Sequence, residues 1–87
     1  MDLIKEVTIY TTRFCPYCIR ALRMLSKKEV PYNNIDVNKN QELYQKIKKK
    51  TGSDTVPQIF IGEEFIGGFD EMNQLDKEGK LDSMLGL

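Results

Sequence analysis

Apolar and polar positions along this chain change period several times, and the changes divide it into short strands and helices. From Leu3 to Tyr10, Ile4 and the Val7–Ile9 pair supply β-branched apolar character and predict a strand. Thr11 to Phe14 predict a loop. Pro16 then suits a first helical position, where its missing N–H costs nothing. Ile19, Leu22 and Leu25 recur at every third position with Ala21 and Met24 beside them, the buried stripe of an amphipathic helix that Val30-Pro31 stops. Tyr32 to Val37 predict a second strand with partial alternation. Asn38 to Lys50 predict a second helix, with Leu43, Tyr44 and Ile47 at helical spacing. Its basic end complements the helix dipole, and Gly52 terminates it. Gln58 to Ile61 and Glu64 to Gly67 read as two strands joined by a tight turn at Gly62-Glu63, a hairpin. Asp70 is a candidate N-cap for a short helix carrying Met72 and Leu75. Leu81, Met84 and Leu85 predict a final helical turn or two.

The resulting order is βαβαββα, with a further short helix at the end. A strand–helix–strand unit followed by a hairpin predicts an α/β fold, a four-stranded mixed β-sheet flanked by helices. No repeat, linker or low-complexity segment divides the chain, so residues 1–87 are expected to form a single domain with a modest core.

Composition narrows the classes of function. A hydrophobic content of 40% and an aromatic content of 9% belong to an ordinary globule rather than to a disordered chain. Thirteen basic and thirteen acidic side chains cancel, which favours neither nucleic acid nor a membrane surface as partner. Monomer is the default for so small and charge-balanced a chain. The stretch Met1-Asp2-Leu3-Ile4-Lys5-Glu6 is charged and lacks the apolar run of a secretory signal, and no segment is long enough to span a bilayer. A cytoplasmic location is the simple expectation. In a reducing compartment a cysteine pair is more often catalytic or metal-binding than structural.

The chain has two cysteines, and both lie in Cys15-Pro16-Tyr17-Cys18, between the first predicted strand and the first helix. Three residues apart at a helix start, they lie on one face, about a turn from each other. A disulfide between them is sterically feasible. Cys15 sits before the helix proper, where free N–H groups and the positive dipole end favour an anion. With Arg13 nearby, these effects should lower its pKa and make it the attacking thiolate. Cys18, one turn inside, should be shielded, keep its proton longer and resolve a mixed disulfide on Cys15. A zinc site is a poor fit, because one chain with no second cysteine pair and no histidine cannot complete a tetrahedral Cys/His set.

Two further segments carry candidate chemistry. Thr55-Val56-Pro57 precedes the third strand. Pro57 is either a simple stop at the strand entrance or the second residue of a cis Val56–Pro57 bond. The cis form would leave the Val56 N–H and C=O facing Cys15 for backbone pairing with an extended peptide. Gly67-Gly68-Phe69-Asp70 is either a hairpin end with an N-cap aspartate or a zwitterion site. In the second case helix amides would bind a carboxylate and Asp70 an ammonium, with the glycines permitting close approach. The γ-glutamyl end of glutathione carries that pair of charges.

Taken together, the Cys15–Cys18 dithiol, the stretch Thr55-Val56-Pro57-Gln58-Ile59-Phe60-Ile61 and the stretch Gly67-Gly68-Phe69-Asp70-Glu71 resemble the glutaredoxin family in order and spacing, over essentially the whole chain. The resemblance implies a thioredoxin fold, a cis Pro57, and a glutathione groove walled by Tyr17, Val56 and the Gly68–Glu71 turn, with Thr55, Pro57 and Phe69 among its contacts. It is closer to the dithiol class than to the single-cysteine class that carries iron–sulfur clusters. One position departs: many members carry Lys or Arg three residues before the first cysteine, where this chain has Thr12, and its basic residue is Arg13, one place later. Arg13 is either a displaced glutathione contact or a solvated loop residue. The Lys48-Lys49-Lys50 run is most simply a solvated helix end, and Tyr10 is a packing residue.

The activity implied is glutathione-dependent thiol–disulfide exchange on glutathionylated proteins and protein disulfides, with glutathione as co-substrate, no bound cofactor or metal, and a separate flavoenzyme regenerating glutathione. Ribonucleotide reductase is a common partner in the family, although nothing in this sequence singles it out. Three other readings compete, one of them a structural or interaction domain with a vestigial dithiol, which a Cys15 pKa near that of a free thiol would support. A thioredoxin-type reductase driven by a flavoprotein is disfavoured by Asp70 and the two glycines. A glutathione-ligated iron–sulfur carrier bridging two chains is disfavoured by Pro16, which stiffens the turn.

Overall fold

In a computed structural model that describes residues 5–87, the elements run β1 (Val7–Thr11), α1 (Pro16–Lys27), β2 (Tyr32–Asp36), α2 (Gln41–Thr51), β3 (Gln58–Ile61), β4 (Glu64–Gly67), α3 (Phe69–Lys77) and α4 (Leu81–Leu85). Residues 1–4, which include Leu3 and Ile4 of the expected first strand and most of the charged N-terminal stretch, lie outside the described residues. The sheet order is β2-β1-β3-β4. β1 pairs parallel with β2, Val7 opposite Tyr32 and Thr11 opposite Asp36. It pairs antiparallel with β3, Val7 opposite Ile61 and Tyr10 opposite Gln58. β3 and β4 form the antiparallel hairpin. Among the described residues, no helix is long and apolar enough to cross a membrane.

The central position of β1 and β3 explains their composition, since both faces are covered. On one face Val7, Ile9, Ile59 and Ile61 pack with Ala21 and Leu25 of α1, Met72 of α3, and Leu81 and Leu85 of α4. The intervening residues Tyr10 and Phe60 join Val37, with the half-buried Tyr44 and Ile47 of α2 against them. Each fully buried Leu, Ile or Met contributes about 1.5–3 kcal/mol through area removed from water.

Several boundaries and faces differ from the sequence expectation. β1 runs one residue further, to Thr11. α2 starts at Gln41, after Asn40, rather than at Asn38, because Val37 to Asn40 form a turn closed by the Asp36 side chain and carbonyl. On α1 the buried stripe is Cys18, Ala21 and Leu25, while Ile19 is 46% exposed. The rest of the expected stripe holds, with Ala21 and Leu25 buried and Leu22 and Met24 half-buried against the core. Cys18 is one turn before Leu22 and Ala21, on the face that meets the core, whereas residue-type hydrophobicity alone favoured Ile19, one position round the helix. Leu43, also expected to be inward, is exposed. Finally, α3 is capped by Gly68 rather than Asp70, which falls in its first turn.

One polar cluster ties the helices together. Lys28, at the C-cap of α1, reaches Asp76 of α3 at 2.7 Å and Asp82 of α4 at 2.6 Å. Asp76 first, and Asp82 second, hold the Lys28 ammonium above its ordinary pKa. A raised lysine contributes stability that is whole below the unfolded value, about 10.4, and is lost as pH rises through the folded one. The carboxylates are 35% and 56% exposed, so solvent screening limits the contribution to about 1 kcal/mol. Urea unfolding at pH 7 should therefore show Lys28→Met less stable by about that amount, with the gap closing as the wild-type lysine deprotonates. Equal stability at pH 7 would show that the cluster is ornamental.

Candidate functional site

The chain enters α1 through Cys15, whose backbone is extended and whose sulfur occupies the capping position. The Cys18 N–H donates to Cys15 Sγ at 3.2 Å, and the Ile19 N–H makes the first helical bond to the Cys15 carbonyl at 3.0 Å. Pro16 stands at the first helical position, where it removes a donor that the helix does not use. Helix N-terminal amides favour anions, and the Cys15 sulfur is the atom they face. On its other side the Cys15 thiol lies 3.9 Å from the Val56 carbonyl oxygen.

Cys18 has the opposite environment. It is 1% exposed, packed one turn inside α1. Burial first, then the hydrogen bond to Cys15, pushes its thiol up to about 12, while a backbone hydrogen bond from Thr12 acts in the lowering direction. Both cysteines are free thiols. The motif therefore holds two chemically distinct sulfurs, one partly exposed at the helix tip and one buried and proton-retaining.

The Val56–Pro57 peptide is cis, which settles the choice the sequence left open. Thr55 is exposed, Val56 half-buried and Pro57 buried, and Val56 packs against the Tyr10–Phe60 cluster. This loop is held from behind by Gln58, a residue that the sequence presented only as part of a strand. Gln58 is fully buried. Its Nε2 donates to the Ser53 carbonyl at 2.7 Å, and its Oε1 accepts from the Thr51 hydroxyl at 3.0 Å. The Ser53 N–H closes back on Thr51 Oγ1 at 3.2 Å. The available signal was a lone amide in an otherwise apolar central strand.

The Gly67–Glu71 segment meets the Pro57 loop directly. A Cβ at Gly68 would stand 3.3 Å from the Pro57 carbonyl oxygen, so the two segments approach as closely as a glycine allows. Glu71 Oε1 accepts from the Gly68 N–H at 3.0 Å, half of a capping box, since glycine has no side chain to return the bond. The Glu71 carboxylate is thus committed to the turn, whereas Asp70 is exposed beside it. Gly67 has φ +111°, and a Cβ there would press on Glu71 at 2.7 Å. Gly67→Ala should therefore destabilise the protein by about 1–3 kcal/mol through backbone strain. The unfolding midpoint should fall by at least about 4 °C. An unchanged midpoint would show that the turn accommodates a side chain.

The structure gathers Cys15, Tyr17, Val56, Pro57, Gly68 and Phe69 around the helix tip. Tyr17 is 51% exposed, and its ring lies 6.5 Å from that of Phe69, with the Arg20 guanidinium 5.6 Å from its centre. Arg13 lines a cleft that reaches Cys18. Its guanidinium rests over the exposed ring of Phe14 at 5.6 Å, and the cleft, of about 630 Å³, is shared with Thr12, Cys18, Asn34 and Asp36. Lys48 lies over the Tyr44 ring at 5.2 Å, while Lys49 and Lys50 are exposed at the α2 C-terminus. Among the described residues, no three His, Cys, Asp or Glu side chains are placed to share a metal ion.

Comparison with known proteins follows the same lines. A family model described as Glutaredoxin matches residues 7–66. A glutaredoxin of Pseudomonas aeruginosa is 48% identical over 79 residues, covering 91% of this chain and 94% of that protein. The solution structure of a glutaredoxin from Brucella melitensis superposes with a TM-score of 0.85 at 42% identity, covering 98% of this chain and 92% of that one. A buckwheat glutaredoxin–glutathione complex superposes with a TM-score of 0.86 at 28% identity, covering 91% of this chain and 74% of that one.

Proposed function

Because this chain belongs to the glutaredoxin family, we propose that it is a glutathione-dependent thiol–disulfide oxidoreductase in which Cys15 is the nucleophile and Cys18 the resolving thiol. The observation that carries the role assignment is the contrast between the two sulfurs. Cys15 accepts a helix-tip N–H at 3.2 Å and is partly exposed, whereas Cys18 is buried and its thiol is pushed up to about 12.

In deglutathionylation, the Cys15 thiolate attacks the glutathione sulfur of a mixed disulfide. The Cys15–glutathione disulfide forms as the substrate's disulfide breaks, and the substrate thiolate leaves. A second glutathione thiolate then attacks the glutathione sulfur held on Cys15, giving glutathione disulfide and regenerating the Cys15 thiolate. For a protein disulfide, Cys15 attacks first, and Cys18 attacks the Cys15 sulfur of the mixed disulfide. The Cys18 proton passes to the departing substrate thiolate, leaving the Cys15–Cys18 disulfide for glutathione to reduce.

Glutathione lies extended across the helix tip in this reading. The Val56 backbone pairs with it, Tyr17, Pro57 and Phe69 wall the groove, and Thr55 borders it. Asp70 accepts from the γ-glutamyl ammonium, while the first amides of α3 face its carboxylate. Glu71 holds that turn by its bond to the Gly68 N–H. Arg13, in the cleft that Cys18 also lines, is the basic residue available to the other carboxylate of the tripeptide. Alignment of three sulfurs roughly in line is the main source of acceleration. The buckwheat glutaredoxin, which is known as a glutathione complex, supports glutathione as the ligand of this reading.

The decisive assay supplies a low-molecular-weight mixed disulfide with glutathione as the sole reductant. The expected result is catalytic turnover with one glutathione disulfide formed per cycle. Turnover only after adding a flavoprotein dithiol reductase, and none with glutathione, would assign the chain a thioredoxin-type activity instead.

A further inference from the structure

Residues Arg20, Arg23 and Lys27 recur along α1, which contains no acidic side chain. The neighbouring Lys28 is neutralised by Asp76 and Asp82. The other three are exposed and make no ion pair among the described residues. Spacings of three and four residues place them on one stripe. Of the three, Lys27 alone suits the helix, because it lies in the last turn, where the dipole favours a cation. Arg23 and Lys27 are like charges one turn apart, which repel, and Arg20 lies in the N-terminal half, where the dipole disfavours a cation. The stripe is also a local excess, because the charges of the whole chain cancel.

Beside the stripe runs a cleft of about 410 Å³ between α1 and α3, with Met24 and Phe69 as its apolar lining. Phe69 is the ring next to Tyr17, and Arg20 stands over Tyr17. The cleft therefore leads away from the Cys15 mouth. Lys28 and Asp76 also line it but are paired with each other, so Arg20, Arg23 and Lys27 leave the cleft net positive over an apolar floor, and its complement is a chain bearing carboxylates and one apolar side chain.

We propose that this cleft docks an acidic segment of the protein substrate, running from the glutathionylated cysteine along α1. This rests on the glutathione-dependent reading above and names the class of protein substrate it prefers. The rise from Tyr17 to Lys27 is about 15 Å, the span of about four to five residues of extended chain. The favoured substrate thus carries Asp or Glu within about five residues of its cysteine, with one apolar residue seated on Met24 and Phe69.

The test uses two glutathionylated peptides that differ only in flanking Glu or Gln residues, alongside a small glutathione mixed disulfide. Several exposed ion pairs of modest strength together give about a tenfold higher kcat/KM for the acidic peptide at low salt, carried by KM. High salt should remove the preference. Arg23→Glu/Lys27→Glu should reverse it, and Arg23→Gln/Lys27→Gln should abolish it, with turnover of the small disulfide unchanged in both. Equal kcat/KM for the two peptides, or a preference that survives both variants, overturns the proposal. Inhibition by a short oligonucleotide but not by a poly-glutamate peptide would overturn the choice of a protein segment as occupant. Failure of the wild type on the small disulfide would instead remove the underlying activity, and the proposal with it.

Discussion

Replacing Cys15 by serine should abolish both deglutathionylation and protein-disulfide reduction, a loss on the order of a thousandfold or more, to the uncatalysed rate. Serine places an oxygen where the reaction requires a sulfur, and no mixed disulfide can form. The fold should be undisturbed, because serine is itself among the preferred N-cap residues. Its hydroxyl can accept the Cys18 N–H that Cys15 Sγ accepts at 3.2 Å. Thermal unfolding measured beside turnover separates the two effects: the midpoint should stay close to wild type while activity vanishes. Retention of more than a few per cent of either activity would remove Cys15 from the nucleophile's place.

Replacement of Cys18 should divide the two reactions. Deglutathionylation, completed by a second glutathione, should survive in Cys18→Ser within a few-fold. Protein-disulfide reduction should fall by about a hundredfold as the mixed disulfide on Cys15 waits for an external thiol. Mass spectrometry of the trapped adduct would detect the stalled intermediate. Because Cys18 is buried, the serine hydroxyl costs about 1–2 kcal/mol unless it finds a partner, and Cys18→Ala controls for that cost. Equal loss of both activities in a folded variant would mean that the two roles are misassigned.

The same residue governs a pH effect. The folded state holds the Cys18 thiol up to about 12, whereas an unfolded cysteine releases its proton near 8.5. The stability this supplies is whole below about pH 8.5 and declines as pH rises toward the folded value. Cys18→Ala should lack that alkaline decline.

Residues Pro16, Gly52 and the Gly62-Glu63 turn were legible because each acts through its own backbone preference. Pro16 begins α1, Gly52 ends α2 in the left-handed region at φ 74°, and the turn joins β3 to β4. The limits of β3 and β4 followed, since turn residues bracket them. Where a neighbour's side chain sets the boundary, local preference was not enough. Asp70 looked like a cap, yet Glu71 closing on the Gly68 N–H begins α3 before it. On α1 the expected stripe holds at Ala21, Leu22, Met24 and Leu25, but Ile19 faces out and Cys18 takes the inward place. A thiol carries less hydrophobic signal than isoleucine, yet Cys18 is the residue whose position on the helix faces the core.

By itself the sequence determined the element order, the dithiol at a helix start and the two short segments that accompany it, because each is written in consecutive residues. Tertiary structure decided the rest. It set β1 and β3 at the centre of the sheet and brought the Pro57 carbonyl against Gly68. It fastened the Val56 loop with Gln58, set Arg13 in one cleft with Cys18 and Asn34 and opened another beside the cationic stripe of α1. Each of these depends on contact between residues far apart in the chain, and such contacts come from the packing of sheet and helices rather than from local backbone preference.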